Sequence, residues 1–145
     1  MSGITDPSEQ YFKDGGWSWN GSIWIKGGLP FEYASQVLVR TQAWTPVSTI
    51  GHVFSAAVAA NEIWVVTAIA AENLTNTTTE RRLGVVSGGV YYFLAVDAGG
   101  AALTMFSWGG QMIAVAGQRL VGRFLGGVWN DLLELTVTGY KMRLT

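Results

Sequence analysis

The sequence predicts an all-β protein, an antiparallel β-sandwich of jelly-roll type preceded by an N-terminal arm that carries a β-hairpin. Three observations lead there. Short β-branched and aromatic runs recur at sandwich-like spacing from residue 36 onward, glycine pairs punctuate them, and no stretch of useful length has helical periodicity. The last run is the clearest. In DLLELTVTGYKMRL (131–144) Leu133, Leu135 and Val137 share one face while Glu134, Thr136 and Thr138 share the other, the alternation of a half-buried antiparallel strand.

Residues 1–10 are polar and aperiodic, and read as a tail. Residues 11–33 form a separate aromatic and glycine-rich unit, so the arm is placed at 1–33 and the sandwich domain at 34–145. Within the arm, GGWSWNGSIWIKGG sets Asn20-Gly21 between two tryptophan-bearing runs, the signal of a two-residue type I′ turn in which both central residues accept φ > 0. That turn would pair Trp19 with Ser22, Ser18 with Ile23 and Trp17 with Trp24. A two-stranded hairpin is marginal alone in water, so the three tryptophans need a surface to rest on. Trp17, Trp19 and Trp24, with Phe31 and Tyr33, are the expected partner-docking anchors, because tryptophan dominates interface energetics.

In the main domain, QVLVRTQAW (36–44), STIGHVFSAAV (48–58) and EIWVVTAIA (62–70) read as strands, followed by the polar loop AENLTNTTTE (71–80). RRLGVVS and VYYFLAVDA flank Gly88-Gly89 as one hairpin, and ALTMFSW and MIAVA flank Gly109-Gly110 as a second. Trp44, Trp64, Trp108 and Trp129 lie at or within strands, where core packing is the ordinary role. Tyr91 and Tyr92 are adjacent, so at most one of them faces a core.

Composition narrows the chemistry. With no cysteine and one histidine among 145 residues, no disulfide frame, thiolate nucleophile or zinc knuckle is available, and His52 alone cannot complete a metal set or a triad. His52 is expected to be structural. No GxSxG, GxGxxG or GxxxxGK[ST] pattern occurs, so neither a nucleophile elbow nor a cofactor site is expected. Asp131 and Glu134, three apart in a strand, point to opposite faces and do not form a hydrolase pair; Asp131 is expected to cap a turn and Glu134 to face solvent. The sequence therefore predicts a non-enzyme. Asn73, Thr75 and Asn76, in a loop of hydroxyls and amides, are the residues most open to a ligand. Asn20, Asn73 and Asn76 also open N-x-S/T triplets, which read here as turn and loop chemistry rather than glycan acceptors.

The scattered basic residues and a net charge of −1 give no footprint for nucleic acid. The start of the chain has neither a basic n-region nor an apolar h-region, so assembly in the cytoplasm is expected. Residues 98–118 are uncharged, but two glycine pairs and several polar side chains interrupt them, which argues against a membrane span. The unusual quantity is the charged fraction, 13% against roughly 25% in ordinary soluble domains. Between Leu83 and Gln118 the single charge is Asp97, so much of this surface is expected to be covered by other subunits.

At these residues the chain resembles structural proteins of tailed-bacteriophage virions. The W-x-W-N-G-x-x-W hairpin behind a polar tail, and the stretches AAVAANEIWVVTAIAAEN, AVAGQRLVGRFLGG and DLLELTVTGYKM, are similar to the small jelly-roll modules of head decoration (cement) proteins, head fibres and tail fibres. The resemblance implies a virion component assembled in the host cytoplasm, commonly a homotrimer. Such a protein attaches to the major capsid or another virion protein by its N-terminal arm. The other reading is a tail-tip or tail-fibre module that binds a receptor or glycan through exposed aromatics and the 73–79 loop.

Overall fold

The structure is a computed structural model that describes residues 17–19, 24–26, 36–44 and 49–143. The chain divides into two units between residues 34 and 35. In the first, strands β1 (Trp17–Trp19) and β2 (Trp24–Lys26) pair antiparallel. The register differs from the two-residue turn: Trp19 stands opposite Trp24, Ser18 opposite Ile25 and Trp17 opposite Lys26. The described register is thus offset from the one a two-residue Asn20-Gly21 turn would set.

The described residues of the second unit form eight strands: β3 (Gln36–Trp44), β4 (Ile50–Phe54), β5 (Glu62–Asn73), β6 (Glu80–Ser87), β7 (Val90–Asp97), β8 (Phe106–Ala114), β9 (Arg119–Leu125) and β10 (Leu132–Arg143). They build two antiparallel four-stranded sheets, β3-β10-β5-β8 and β4-β9-β6-β7, so the all-β sandwich read from the sequence is what forms. The pairing is nested. β3 joins β10, β4 joins β9, β5 joins β8 and β6 joins β7, as if one long hairpin with its tip at Gly88-Gly89 had been wound into two sheets. At that tip Gly88 and Gly89 take φ of 56° and 81°, left-handed backbone that glycine accepts without strain.

Alternation decides what lies between the sheets. Leu133, Leu135 and Val137 from β10 and Trp64, Val66, Ile69 and Ala71 from β5 meet Val53, Leu83, Leu120 and Phe124 of the opposite sheet in one core. Removing such side chains from water at about 25 cal/mol per Å² of apolar surface is the main force holding the sheets together.

Three expectations give way here. Gly109-Gly110 is not a turn, since β8 runs unbroken through it with neither glycine at positive φ. The pair lies instead where β5 and β8 shift register between Val66 and Ala68, and a Cβ on Gly110 would sit 2.7 Å from the Trp108 ring. Trp44 and Trp129 are 57% and 70% exposed, unlike Trp64 and Trp108, because Trp44 lies on the outer face opposite Leu132 and Trp129 on the turn before β10. Glu134 is buried rather than solvent-facing. It points away from the core, but the edge strand β3 brings Arg40 over it as a bidentate partner (2.9 and 3.1 Å) and Gln42 as a third donor at 2.7 Å.

Candidate functional site: a charge-poor flank

In the loop that looked most open to a ligand, Asn73 is buried, Asn76 half-buried and Thr75 exposed. Asn73 is 3% exposed and Asp131 fully buried, and the loop residues converge on the Asp131 carboxylate. Asn73 Nδ2 donates to Oδ2 at 2.9 Å, the Val128 amide donates to the same oxygen at 2.8 Å, and Asn76 Nδ2 donates to Oδ1. The Thr75 hydroxyl lies 3.2 Å from Asp131 Oδ1 and 3.0 Å from Asn73 Oδ1, with one proton to share, and accepts the Leu132 amide at 3.0 Å. Asn73 Oδ1 also takes the amides of Thr75 and Asn76, an Asx turn. Burial pushes the Asp131 carboxyl up, but its hydrogen bonds outweigh that and hold it below the ordinary aspartate value. Asn73, Thr75 and Asn76 thus tie the β5–β6 loop to the start of β10. Asp131 does cap the turn that precedes β10.

Of the arm residues, Phe31 and Tyr33 lie outside the described residues, and for Trp17, Trp19 and Trp24 the description stops at their strand pairing. His52 stacks on Phe54 (5.7 Å, 10° between planes) and packs against Tyr91 at 5.4 Å. Burial, and then the neighbouring Arg123, holds it below the ordinary histidine value. Among the described residues no group of three or more His, Asp or Glu side chains is placed to hold a metal. No helix among them is long and apolar enough to cross a membrane; residues 106–114 of the uncharged run are strand β8.

The rest of that run has a definite place. β7 and β8 are edge strands of their two sheets and lie against each other, so residues 90–115 cover one flank of the sandwich. Tyr92, Leu94, Leu103, Met105, Ile113 and Val115 are between 40% and 68% exposed there. Asp97, the single charge of the segment, is spent internally on Arg81. That guanidinium is 7% exposed and also donates to the Thr104 carbonyl at 2.6 Å and to the Gly99 carbonyl at 3.3 Å, clamping the β7–β8 connection.

Exposed sheet edges are ordinarily guarded by charged side chains, proline or a covering loop. β7 and β8 contain no lysine, arginine, glutamate or proline, whereas the opposite edge strand β3 carries Arg40. What the fold defines, then, is an all-β sandwich with one apolar, unguarded flank. No protein-family model matches the sequence, and comparison with curated proteins finds no relative.

Proposed function

We propose that the chain is a non-enzymatic structural protein of a tailed-phage virion, a capsid decoration or head-fibre-base protein that associates with copies of itself. The observation that carries this reading is the charge-poor flank of β7 and β8, an apolar surface of the kind that subunit contacts cover. The nested pairing, which we read as jelly-roll winding, agrees with the resemblance to virion modules. In this reading the flank is the self-association surface of a homotrimer. The arm, residues 1–33, docks on the major capsid or a neighbouring virion protein through Trp17, Trp19, Trp24, Phe31 and Tyr33.

The test uses the full chain. Co-sedimentation with undecorated phage heads is expected to saturate for the wild-type protein and to weaken at least tenfold when Trp17, Trp19 and Trp24 are all replaced by alanine. Saturable binding that survives the triple substitution would remove the docking claim. A protein that stays monomeric at every concentration and never co-sediments would remove the whole reading.

A further inference from the structure

The outer face of the sheet β4-β9-β6-β7 carries a different chemistry from the flank. Register places His52 opposite Arg123 and Arg123 opposite Arg82, so a histidine and two arginines stand in one row across three strands. Rings fill the positions around this row: Phe54 beside His52, then Tyr91 and Phe93, each within 6.4 Å of the next along the series. The Arg82 and Arg123 guanidinium carbons both lie close to the Phe93 ring centre, at 5.3 and 5.9 Å, and that of Arg119 lies 4.8 Å from the Phe54 ring.

Two features of this row are costly as they stand. Like charges directly opposite each other on neighbouring strands repel, and Arg82 faces Arg123. Glu80 accepts from Arg82 Nε and its charge also reaches Arg123, while Arg119 is held by the Ser55 carbonyl (2.9 Å), so one carboxylate serves three arginines on this face among the described residues. The Nε of Arg123 is buried with no hydrogen-bond partner among the described residues. A buried donor on a charged group that lacks a partner has lost its water without a replacement. A carboxylate delivered by a ligand would offset the repulsion between the two guanidinium groups.

We infer that this face binds an acidic polysaccharide, with sugar carboxylates on Arg123, Arg82 and Arg119 and the apolar sides of the sugar rings on Phe54, Tyr91 and Phe93. Guanidinium forks suit carboxylates, and the aromatic edges, being the positive part of each ring, favour the same charge. The spacing argues against nucleic acid. Arg119 and Arg123 are four residues apart on one strand, about 13 Å at the usual rise, with apolar residues between them, which is not the continuous basic track that follows a phosphate backbone. Of the chain's acidic residues, Glu80, Asp97, Asp131 and Glu134 are engaged within the chain and are not available to the row of a second copy. The inference does not depend on the flank or on a virion location.

The full-length protein is titrated by calorimetry with polygalacturonate and hyaluronan oligosaccharides, with neutral dextran, and with a twenty-residue oligothymidylate. Saturable binding of at least one carboxylated glycan is expected, weakening as salt rises. It should fall at least tenfold in Arg123→Gln and several-fold in Arg119→Gln, whose exposed side chain makes it safe for folding, and remain unchanged in Arg40→Gln on the opposite sheet. Dextran should not bind. Failure of both carboxylated glycans to bind overturns the inference, as does equal binding of dextran, tighter binding of the oligonucleotide, or affinity unaffected by both Arg119→Gln and Arg123→Gln.

Discussion

Asp131 is the residue on which the polar part of this fold turns. Four groups from the end of β5, the β5–β6 loop and the turn before β10 donate to one fully buried carboxylate, so Asp131→Leu takes the partner from the buried Asn73 amide and from three part-buried donors. The expected cost is about 3 kcal/mol or more in denaturant unfolding, larger than for a surface carboxylate. His52 and the buried acids separate on the pH axis. Burial, and then Arg123, lowers the His52 value in the fold, so the unfolded chain binds its proton first and stability falls as pH drops below the ordinary 6.5. Asp131 and Glu134 are held below their ordinary 3.8 and 4.5; burial of Glu134 opposes the shift, but the hydrogen bonds from Arg40 and Gln42 and the charge of Arg40 outweigh it. Their contribution is complete above those values and is lost only as pH falls through the depressed ones. Melting temperatures should therefore decline in two stages, and His52→Phe should remove the upper stage alone.

The elements show what a sequence reader can and cannot see. β10 was legible because a strand with one buried face writes its alternation into consecutive residues. The Gly109-Gly110 pair was not, since an extended glycine and a turning glycine are the same letter and β8 differs from a hairpin only in φ. A pair of single substitutions distinguishes their roles. Gly109→Ala meets open space and should be neutral or slightly stabilising, whereas Gly110→Ala presses on the Trp108 ring and should cost about 1–2 kcal/mol by thermal unfolding. The burial of Glu134 was equally hidden, because Arg40 lies 94 residues away and only the β3–β10 register brings it over the carboxylate. At the β7–β8 connection, Asp97→Asn leaves the buried Arg81 guanidinium without its anion. A loss of about 3 kcal/mol is expected, with proteolytic cleavage appearing first between residues 98 and 105.

At the scale of the whole molecule, the sequence carried the class of fold and the shortage of charge but not where that shortage would land. Residues 90–115 read as two adjacent runs, and only the nested pairing sets β7 and β8 on one flank. The arginine row was invisible for the same reason: Arg82, Arg119 and Arg123 are spread over 42 positions and meet through the β6–β9 register. The flank is the central claim, and sedimentation velocity tests it most directly. Wild-type full-length chain should sediment as a discrete oligomer whose population grows with concentration, and Leu94→Lys with Ile113→Lys should convert it to a folded monomer. Wild-type protein that sediments as a monomer throughout, or a doubly substituted protein that keeps the wild-type oligomer, would contradict it.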